Sequence, residues 1–338
     1  MTARRRVVSG MRPTGRLHIG HLVGALSKWV ALQDEFDCFY FVADWHALTS
    51  DFADTSQLTS FAYDNAADWI GAGLDPGKST FFVQSLVPEH AELYLLLSMV
   101  VPVPWLERVP TYKEQQEILK DKDLSSIGFL GYPLLQTADV AIYDANFIPV
   151  GQDQVAHLEL SREVVRRFNN FFPGRNGAPV LVEPEPLLTL FSRLPGLDGD
   201  KKMSKSLGNT IHLSDTADEV KKKVMRMYTD PKRVRADVPG TVEGNPVFTY
   251  HDAFNSNAAE VEDLKARYRE GKVGDVEVKT KLATALNAYL DPIRERRQAA
   301  VADPDRLKDI LFDGSERARR VAIETMGRVR EAMKISYR

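Results

Sequence analysis

The sequence predicts an α/β protein in which a Rossmann-like parallel sheet carries helices on both faces and a smaller all-helical domain follows. Two observations support this fold class. Short apolar runs alternate with amphipathic stretches through the first half of the chain, as strands alternate with helices in a parallel sheet. After residue 214 the strand patterns nearly vanish and helical spacing dominates. Because Pro and Gly are dense from 173 to 208, we expect a sheet domain at 1–200, a mobile loop at 201–210 and a helical domain at 211–338.

The individual elements follow from the spacing of their apolar residues. Runs rich in β-branched and aromatic residues predict strands at 6–9, 38–43, 80–84 and 147–150. Helical spacing predicts helices at 20–36, 55–71, 134–143 and 152–168 in the first half. The same spacing recurs at 216–228, 258–270, 276–300 and 305–333. We expect the last of these helices to pack back on the sheet domain.

Composition excludes several classes of protein. The 338 residues include 43% hydrophobic and 27% charged residues, which is the composition of a globular protein with substantial cores. One cysteine, Cys38, excludes a disulfide framework and any zinc site made of several cysteines. The N-terminal residues contain no apolar stretch long enough for a signal peptide, and no run of about 18 apolar residues occurs. We therefore expect a cytoplasmic protein that neither leaves the cell nor spans a membrane.

Basic residues concentrate in the predicted helical domain although the whole chain is slightly acidic. The chain has 44 Lys and Arg against 47 Asp and Glu, for a net charge of −3. Between 221 and 235, the one acidic residue Asp230 stands among Lys221, Lys222, Lys223, Arg226, Lys232, Arg233 and Arg235. Such residues are either solvated helix faces or a local surface for nucleic acid.

The segment from Pro13 to His21 lies where the first predicted strand hands over to the first helix. This is the phosphate-binding position of a doubly wound sheet, because a helix start offers free backbone N–H groups and a positive dipole end. Gly20 removes a side chain that would block a nucleotide. His18 and His21 project to the same side of one helical turn, so both imidazoles can donate hydrogen bonds to phosphate oxygens as charge builds there.

A second motif, Lys-Met-Ser-Lys-Ser at 202–206, lies in a loop flanked by glycines. Lysine is a compact cation able to follow a moving pyrophosphate, and flanking glycines let a loop open and close. A bare cluster of charges is usually a solvated loop, but the exact order of these five residues is far more specific than that.

The ordered pair of His-Ile-Gly-His and Lys-Met-Ser-Lys-Ser resembles the signature of the class I aminoacyl-tRNA synthetases. The resemblance implies activation of an amino acid by ATP, release of pyrophosphate, and transfer of the amino acid to the 3′-terminal ribose of a tRNA. It also implies that His18 and His21 stabilise the α-phosphate, and that Lys202 and Lys205 stabilise the departing pyrophosphate. Mg²⁺ accompanies ATP without a dedicated protein site, the helical domain binds tRNA, and the family forms homodimers.

The spacing of the motifs leaves the small members of the family, chiefly those for tryptophan and tyrosine, and one acid in an apolar helix favours tryptophan. Only 184 positions separate His18 from Lys202, too few for the inserted editing domain of the isoleucine, valine and leucine enzymes. A buried hydrogen bond can select an aromatic substrate by ~10⁴ to 10⁵ without editing. Asp139 is a carboxylate in the otherwise apolar helix opened by Tyr132-Pro133, and its burial requires a partner such as an indole N–H, unless it pairs with a neighbour or lies at an exposed edge.

Segments 9–15, 44–49 and 132–162 are similar to the tryptophan members of the family in particular, and this likeness assigns two sets of site residues. Around tryptophan, the resemblance places Asp139 on the indole nitrogen, and His46, Tyr132 and Gln154 near the amino and carboxylate end. The full set implied around tryptophan is Val8, Gly10, His46, Tyr132, Gln136, Asp139, Ile148, Val150 and Gln154. The set implied around ATP is Arg12, Pro13, Thr14, Gly20, His21, Gly151, Gln152, Asp153, Arg193, Lys202, Met203, Ser204, Lys205 and Ser206.

Three positions depart from the pattern of some family members. Val8 replaces a phenylalanine, Arg12 a glutamine and Gln136 a methionine. Gln136 favours a tyrosine enzyme, since these carry a Gln and an Asp on this helix, but they also use a tyrosine from the first strand and this chain has none before Tyr40. The residues also leave open a nucleotidyltransferase, which shares the fold and a His-x-Gly-His turn, and a paralogue that does not ligate tRNA.

Overall fold

The computed structural model describes residues 4–109, 125–151, 155–188, 194–199, 203, 207–233 and 235–337. Within these residues, five parallel strands form one sheet in the order β3-β2-β1-β4-β5. The strands are β1 (Arg6–Met11), β2 (Asp37–Val42), β3 (Ser79–Val83), β4 (Phe147–Val150) and β5 (Glu185–Leu188). Helices surround the sheet and form the C-terminal part, which confirms the predicted fold class.

Helices connect the strands and then continue alone. A continuous helical run, α1, joins Ile19–His21, a π-helical turn Leu22–Leu26 and Ser27–Leu32. The helices between β2 and β5 are α2 (Asp44–Asp51), α3 (Leu58–Ala72), α4 (Glu89–Ser98), α5 (Val103–Glu107), α6 (Ile127–Leu130), α7 (Tyr132–Ala141) and α8 (Val155–Phe171). The C-terminal part contains α9 (Ala217–Met225), α10 (Pro246–Phe254), α11 (Ala258–Arg269), α12 (Asp275–Ala302) and α13 (Pro304–Ala332).

The sheet is buried on both faces because its central strands are apolar at successive positions. Val7 and Tyr40 point into one hydrophobic core, while Val8 and Phe41 point into the other. Side chains alternate between the faces of a strand, so such continuous apolar runs are what a parallel sheet covered on both sides requires. The first core extends into the helical part, where it includes buried Leu282 of α12. The sheet and the C-terminal helices therefore share one core.

Several elements differ from the sequence predictions. Strand β1 continues past residue 9 to Met11, and the first helix ends at Leu32 rather than 36. The sequence predicted no helix at the positions of α2, α4, α5, α6 and α10. It also predicted an irregular segment at 173–208, where the structure has β5. Helix α4 is apolar on most sides and lacks a clear helical period, and β5 contains Pro186, which an edge strand tolerates because one side of it needs no ladder hydrogen bonds.

The C-terminal helix α13 covers the other edge of the sheet, beside β3. The backbone N–H of Val83 donates to Ser315 Oγ at 3.1 Å. Ion pairs of Arg319 with Glu89 and of Arg330 with Glu92 attach the same helix to α4. An edge strand covered in this way offers fewer unpaired groups to another chain. In the part of the chain that the structure describes, no helix combines the length and the apolar character needed to cross a bilayer.

Candidate active site

A cavity of about 400 Å³ opens at the carboxyl ends of β1 and β4. The chain winds outward from β1 to β3 and then returns to β4, so the cavity lies where the strand order reverses. That is where open α/β sheets bind ligands. Ten residues of the two predicted sets line it, namely Val8, Gly10, Arg12, His46, Tyr132, Gln136, Asp139, Ile148, Val150 and Gly151. Lining residues that the sequence analysis did not single out include Ser9, Phe41, Thr49, Phe129 and His157.

Asp139 of α7 is the buried acid of this cavity, with only 1% of its surface exposed. Three side chains donate hydrogen bonds to its carboxylate. His46 Nε2 lies 2.7 Å from Oδ2, while Gln84 Nε2 and His90 Nδ1 lie 2.7 and 2.6 Å from Oδ1. A carboxylate has about four acceptor sites, so counting donors among the described residues one site remains for a ligand.

The donors around Asp139 determine its charge. Burial by itself raises the pKa of this carboxyl, but attraction to His46 and hydrogen bonds from His46 and His90 outweigh burial and lower the pKa from 3.8 to about 2. Asp139 is therefore ionised at neutral pH and acts only as an acceptor. The part of the free energy of unfolding that comes from this shift is present above about pH 4 and is lost as the pH falls through 2.

A second buried group lies behind Asp139. His90 donates from Nδ1 to the carboxylate, and its Nε2 lies 2.6 Å from the hydroxyl of Tyr143. Burial raises the pKa of Tyr143 well above 10, so this hydroxyl stays protonated and shares a hydrogen bond with the His90 ring. Neither Gln84 nor His90 was predicted as a site residue. Gln84 ends the predicted third strand, but nothing in the sequence pairs it or His90 with Asp139.

His46 lines the cavity, and its ring contacts Asp139 directly. Its place near the amino and carboxylate end of the substrate, which the resemblance implies, stays a prediction. His46 is held on α2, whose first residue Asp44 accepts from Ser85 N. The acid and the histidine therefore form one polar group at the same end of the cavity.

Part of the cavity wall is apolar. Val8, Ile148 and Val150 are each no more than 6% exposed. At Gly10, an added Cβ would fall 2.4 Å from Cζ of Phe41, so glycine is needed for the ring to lie across β1. A cavity with an apolar wall and an anionic acceptor suits an aromatic ring that carries a single N–H or O–H donor.

The start of α1 is built by its two histidines. His18 Nδ1 accepts from the N–H of Gly20 at 3.1 Å, and His21 Nδ1 accepts from the N–H of His18 at 3.1 Å. The ring centroids are 3.8 Å apart. A Cβ on Gly20 would lie 2.9 Å from the His18 ring and 3.1 Å from Met203 Sδ. The structure thus brings Met203 of the lysine motif beside the histidine turn.

Backbone hydrogen bonds also connect the histidine turn to the segment that follows the lysine motif. Ile19 N donates to Ile211 O at 2.9 Å, and Leu213 N donates to Leu17 O at 3.0 Å. Pro13 and Thr14 lie between β1 and this turn, where Thr14 N donates to Arg12 O. Arg12 itself reaches Ser50 Oγ at 3.4 Å. Eight predicted site residues lie outside the described residues, namely Gln152, Asp153, Gln154, Arg193, Lys202, Ser204, Lys205 and Ser206.

Comparisons with known proteins agree with this arrangement. A family model described as tRNA synthetases class I (W and Y) matches residues 1–291. The chain is 48% identical to the tryptophan–tRNA ligase of Thermotoga maritima over 98% of this chain and all of that one. It is 46% identical to the corresponding ligase of Treponema pallidum over 98% of both chains. The crystal structure of tryptophanyl-tRNA synthetase from Campylobacter jejuni, complexed with ADP and tryptophan, superposes with a TM-score of 0.86 at 33% identity, covering 97% of this chain and 99% of that one.

Proposed function

The chain belongs to the class I tRNA synthetases for tryptophan and tyrosine, and we propose that its cavity holds tryptophan with Asp139 as the acceptor of the indole N–H. Its activity is that of a tryptophan–tRNA ligase, and the tyrosine alternative is not favoured. ATP is its second substrate. It activates tryptophan to tryptophanyl-adenylate with loss of pyrophosphate and then transfers tryptophan to the 3′-terminal ribose of its tRNA.

One observation carries the proposed role of Asp139. Its ionised carboxylate lines a cavity that also has an apolar wall, and it has three donors already in place, with one acceptor site left by the described residues. The indole N–H is a donor only, so it matches a site that only accepts. An amino acid without this N–H leaves one acceptor site of the buried carboxylate without a donor, so this amino acid binds the cavity more weakly.

The ATP side of the reaction is assigned to the histidine turn and the loop of the lysine motif. In the proposed step the tryptophan carboxylate attacks the α-phosphorus in line, a new P–O bond forms, and the bond to the bridging oxygen breaks as pyrophosphate leaves. His18 and His21 donate to the α-phosphate, and Lys202 and Lys205 neutralise the pyrophosphate. Arg12, Thr14, Gly20 and Gly151 line the nucleotide. Mg²⁺ arrives with ATP, bound to its phosphates.

Basic residues of α9 and the following loop are proposed to contact tRNA phosphates, with one correction. Arg233 is buried, donates to the backbone oxygens of Ala236, Val238 and Val273, and stacks on Tyr268 at 4.0 Å. It stabilises its own loop, so counting it in a solvated basic face was wrong. Among the described residues the exposed cations here are Lys221, Lys222, Arg226, Lys232 and Arg235.

We also propose that the chain forms a homodimer in the cytoplasm. Large apolar side chains are exposed close together in sequence on α4 and just after it, where Leu95 is 53% and Met99 67% exposed. Val103 at the start of α5 and Ile127 at the start of α6 are 52% and 83% exposed. Such side chains are typical of an interface.

Pyrophosphate exchange with tryptophan and tyrosine in parallel tests the amino acid specificity. We expect exchange with tryptophan, and exchange with tyrosine lower by at least about a hundredfold, because a phenol does not fit an acceptor placed for indole. Addition of tRNA to the active combination should then give aminoacyl-tRNA. Exchange with tyrosine instead would assign Gln136 and Asp139 to a phenol site.

Lys205→Ala is expected to lower the rate of exchange by about a hundredfold while tryptophan affinity stays unchanged, because the lysine acts on charge that develops as pyrophosphate leaves. Exchange kinetics and equilibrium binding of tryptophan measure the two effects. Lys308→Ala, which removes an exposed lysine of α13 outside both the motif and the basic residues assigned to tRNA, is the matched control. An unchanged exchange rate in Lys205→Ala contradicts the assigned role.

A further inference from the structure

Asp68 is a buried carboxylate that the cavity does not use. It lies on α3, is 1% exposed, and accepts a hydrogen bond from the backbone N–H of Leu17 at 3.3 Å. Leu17 immediately precedes His18, so this hydrogen bond holds the chain at the entrance to the histidine turn. Burial raises the pKa of Asp68, and the guanidinium of Arg297 opposes that shift.

Arg297 approaches Asp68 from the C-terminal part of the chain. Its Nε donates to Asp68 Oδ1 at 2.6 Å, and a second nitrogen donates to Asp64 Oδ1 at 2.7 Å. The two acids differ in one useful respect. Asp64 is one-third exposed, and its oxygen is not bonded to the histidine turn, whereas Asp68 bonds both the arginine and Leu17.

Helix α12, which carries Arg297, also holds the chain beyond the lysine motif. Arg294 lies one turn earlier and donates to the backbone oxygen of Asp215 at 3.1 Å. The segment just before Asp215 pairs with the histidine turn through Ile211 and Leu213. Helix α12 therefore contacts both segments that meet beside the site, the histidine turn and the segment after the lysine motif. Asp68 connects the helix to the histidine turn.

We propose that Asp68 and Arg297 are positioning residues for adenylate formation, which together fix the backbone of the His18–His21 turn relative to α12. The ion pair holds the carboxylate in the orientation in which its other oxygen accepts from Leu17. Loss of Arg297 leaves the buried carboxylate of Asp68 without its ionic partner, and loss of the Asp68 charge leaves Arg297 paired with Asp64 alone. In either case the side chain at position 68 is no longer held in the orientation that accepts from Leu17. Displacement of a catalytic group by about 1 Å costs up to about a hundredfold in rate, so an effect on turnover is expected without any contact to substrate.

The test uses Asp68→Asn, Arg297→Gln and the matched control Asp64→Asn in the full chain. The proposal rests on the proposed function, so wild-type exchange with tryptophan is measured first, and its absence would overturn that function instead. We expect Asp68→Asn and Arg297→Gln each to lower kcat for exchange by about tenfold to a hundredfold, with KM for tryptophan unchanged. The double variant should be no slower than the slower single one. Asp64→Asn should keep wild-type kcat.

Backbone amide hydrogen exchange gives a readout that does not depend on activity. We expect the N–H of Leu17 to exchange faster in Asp68→Asn and Arg297→Gln than in the wild type or Asp64→Asn. If either variant fails to fold, the other variant still tests the same ion pair. Arg297→Lys keeps the positive charge but not the paired N–H donors of the guanidinium, so its kcat should lie between those of Arg297→Gln and the wild type. Wild-type kcat in folded Asp68→Asn and Arg297→Gln, with only a lowered melting temperature, would overturn the proposal.

Discussion

Asp139→Ala is expected to lower kcat/KM for tryptophan in pyrophosphate exchange by about a hundredfold or more, because a hydrogen bond to a buried anion contributes about 1.5–3 kcal/mol and the empty site leaves other donors unpaired. His46, Gln84 and His90 all lose their acceptor in this variant. Asp139→Asn keeps the shape of the side chain, and its exchange kinetics serve if the alanine variant is unstable. Steady-state exchange and equilibrium binding of tryptophan measure the loss.

A substrate analogue separates the indole contact from general damage to the pocket. When sulfur replaces the indole N–H, the analogue cannot donate to Asp139. The wild type should then prefer tryptophan over the analogue strongly, and Asp139→Asn should prefer it much less. An equal preference for tryptophan over the analogue in both enzymes would show that the carboxylate does not accept a hydrogen bond from the indole N–H. A positioning role through His46 would then remain the better account of Asp139.

The sheet could be predicted from the sequence wherever a strand is a continuous apolar run. The strands predicted at 38–43 and 147–150 agree within about a residue with Asp37–Val42 and Phe147–Val150, because burial on both faces requires such runs. Short β5, with Pro186, carries no comparable pattern. Helix α4 is apolar on most sides, so its period could not be read.

The candidate site was predictable only in part, and for a different reason. Asp139 was conspicuous as an acid in an apolar helix, but its partners come from positions 46, 84 and 90, which no local pattern connects. The same holds for Asp68 and Arg297, which lie 229 positions apart. Periodicity reports which face of an element is buried. It does not report which buried polar groups meet across the fold, since that depends on how elements distant in sequence pack.

The contact between α13 and β3 gives the second large prediction. Gly314 of α13 lies directly on the strand, and a Cβ there would fall 1.7 Å from the backbone oxygen of Phe81. Backbone atoms of a sheet cannot yield as a flexible side chain can. We therefore expect Gly314→Ala to lower the free energy of unfolding by about 3 kcal/mol, at the upper end of overpacking effects. Thermal and denaturant unfolding of the full chain measure this change.

Gly327 of the same helix provides the matched control, since an added Cβ there meets nothing within 4 Å. Gly327→Ala should raise the free energy of unfolding by about 0.5–1 kcal/mol, because alanine loses less entropy than glycine in a helix. The opposite signs at two glycines of one helix identify the strand contact as the cause. Equal effects would contradict it. Since Gln84 follows β3 and donates to Asp139, displacement of this strand by Gly314→Ala should also raise KM for tryptophan.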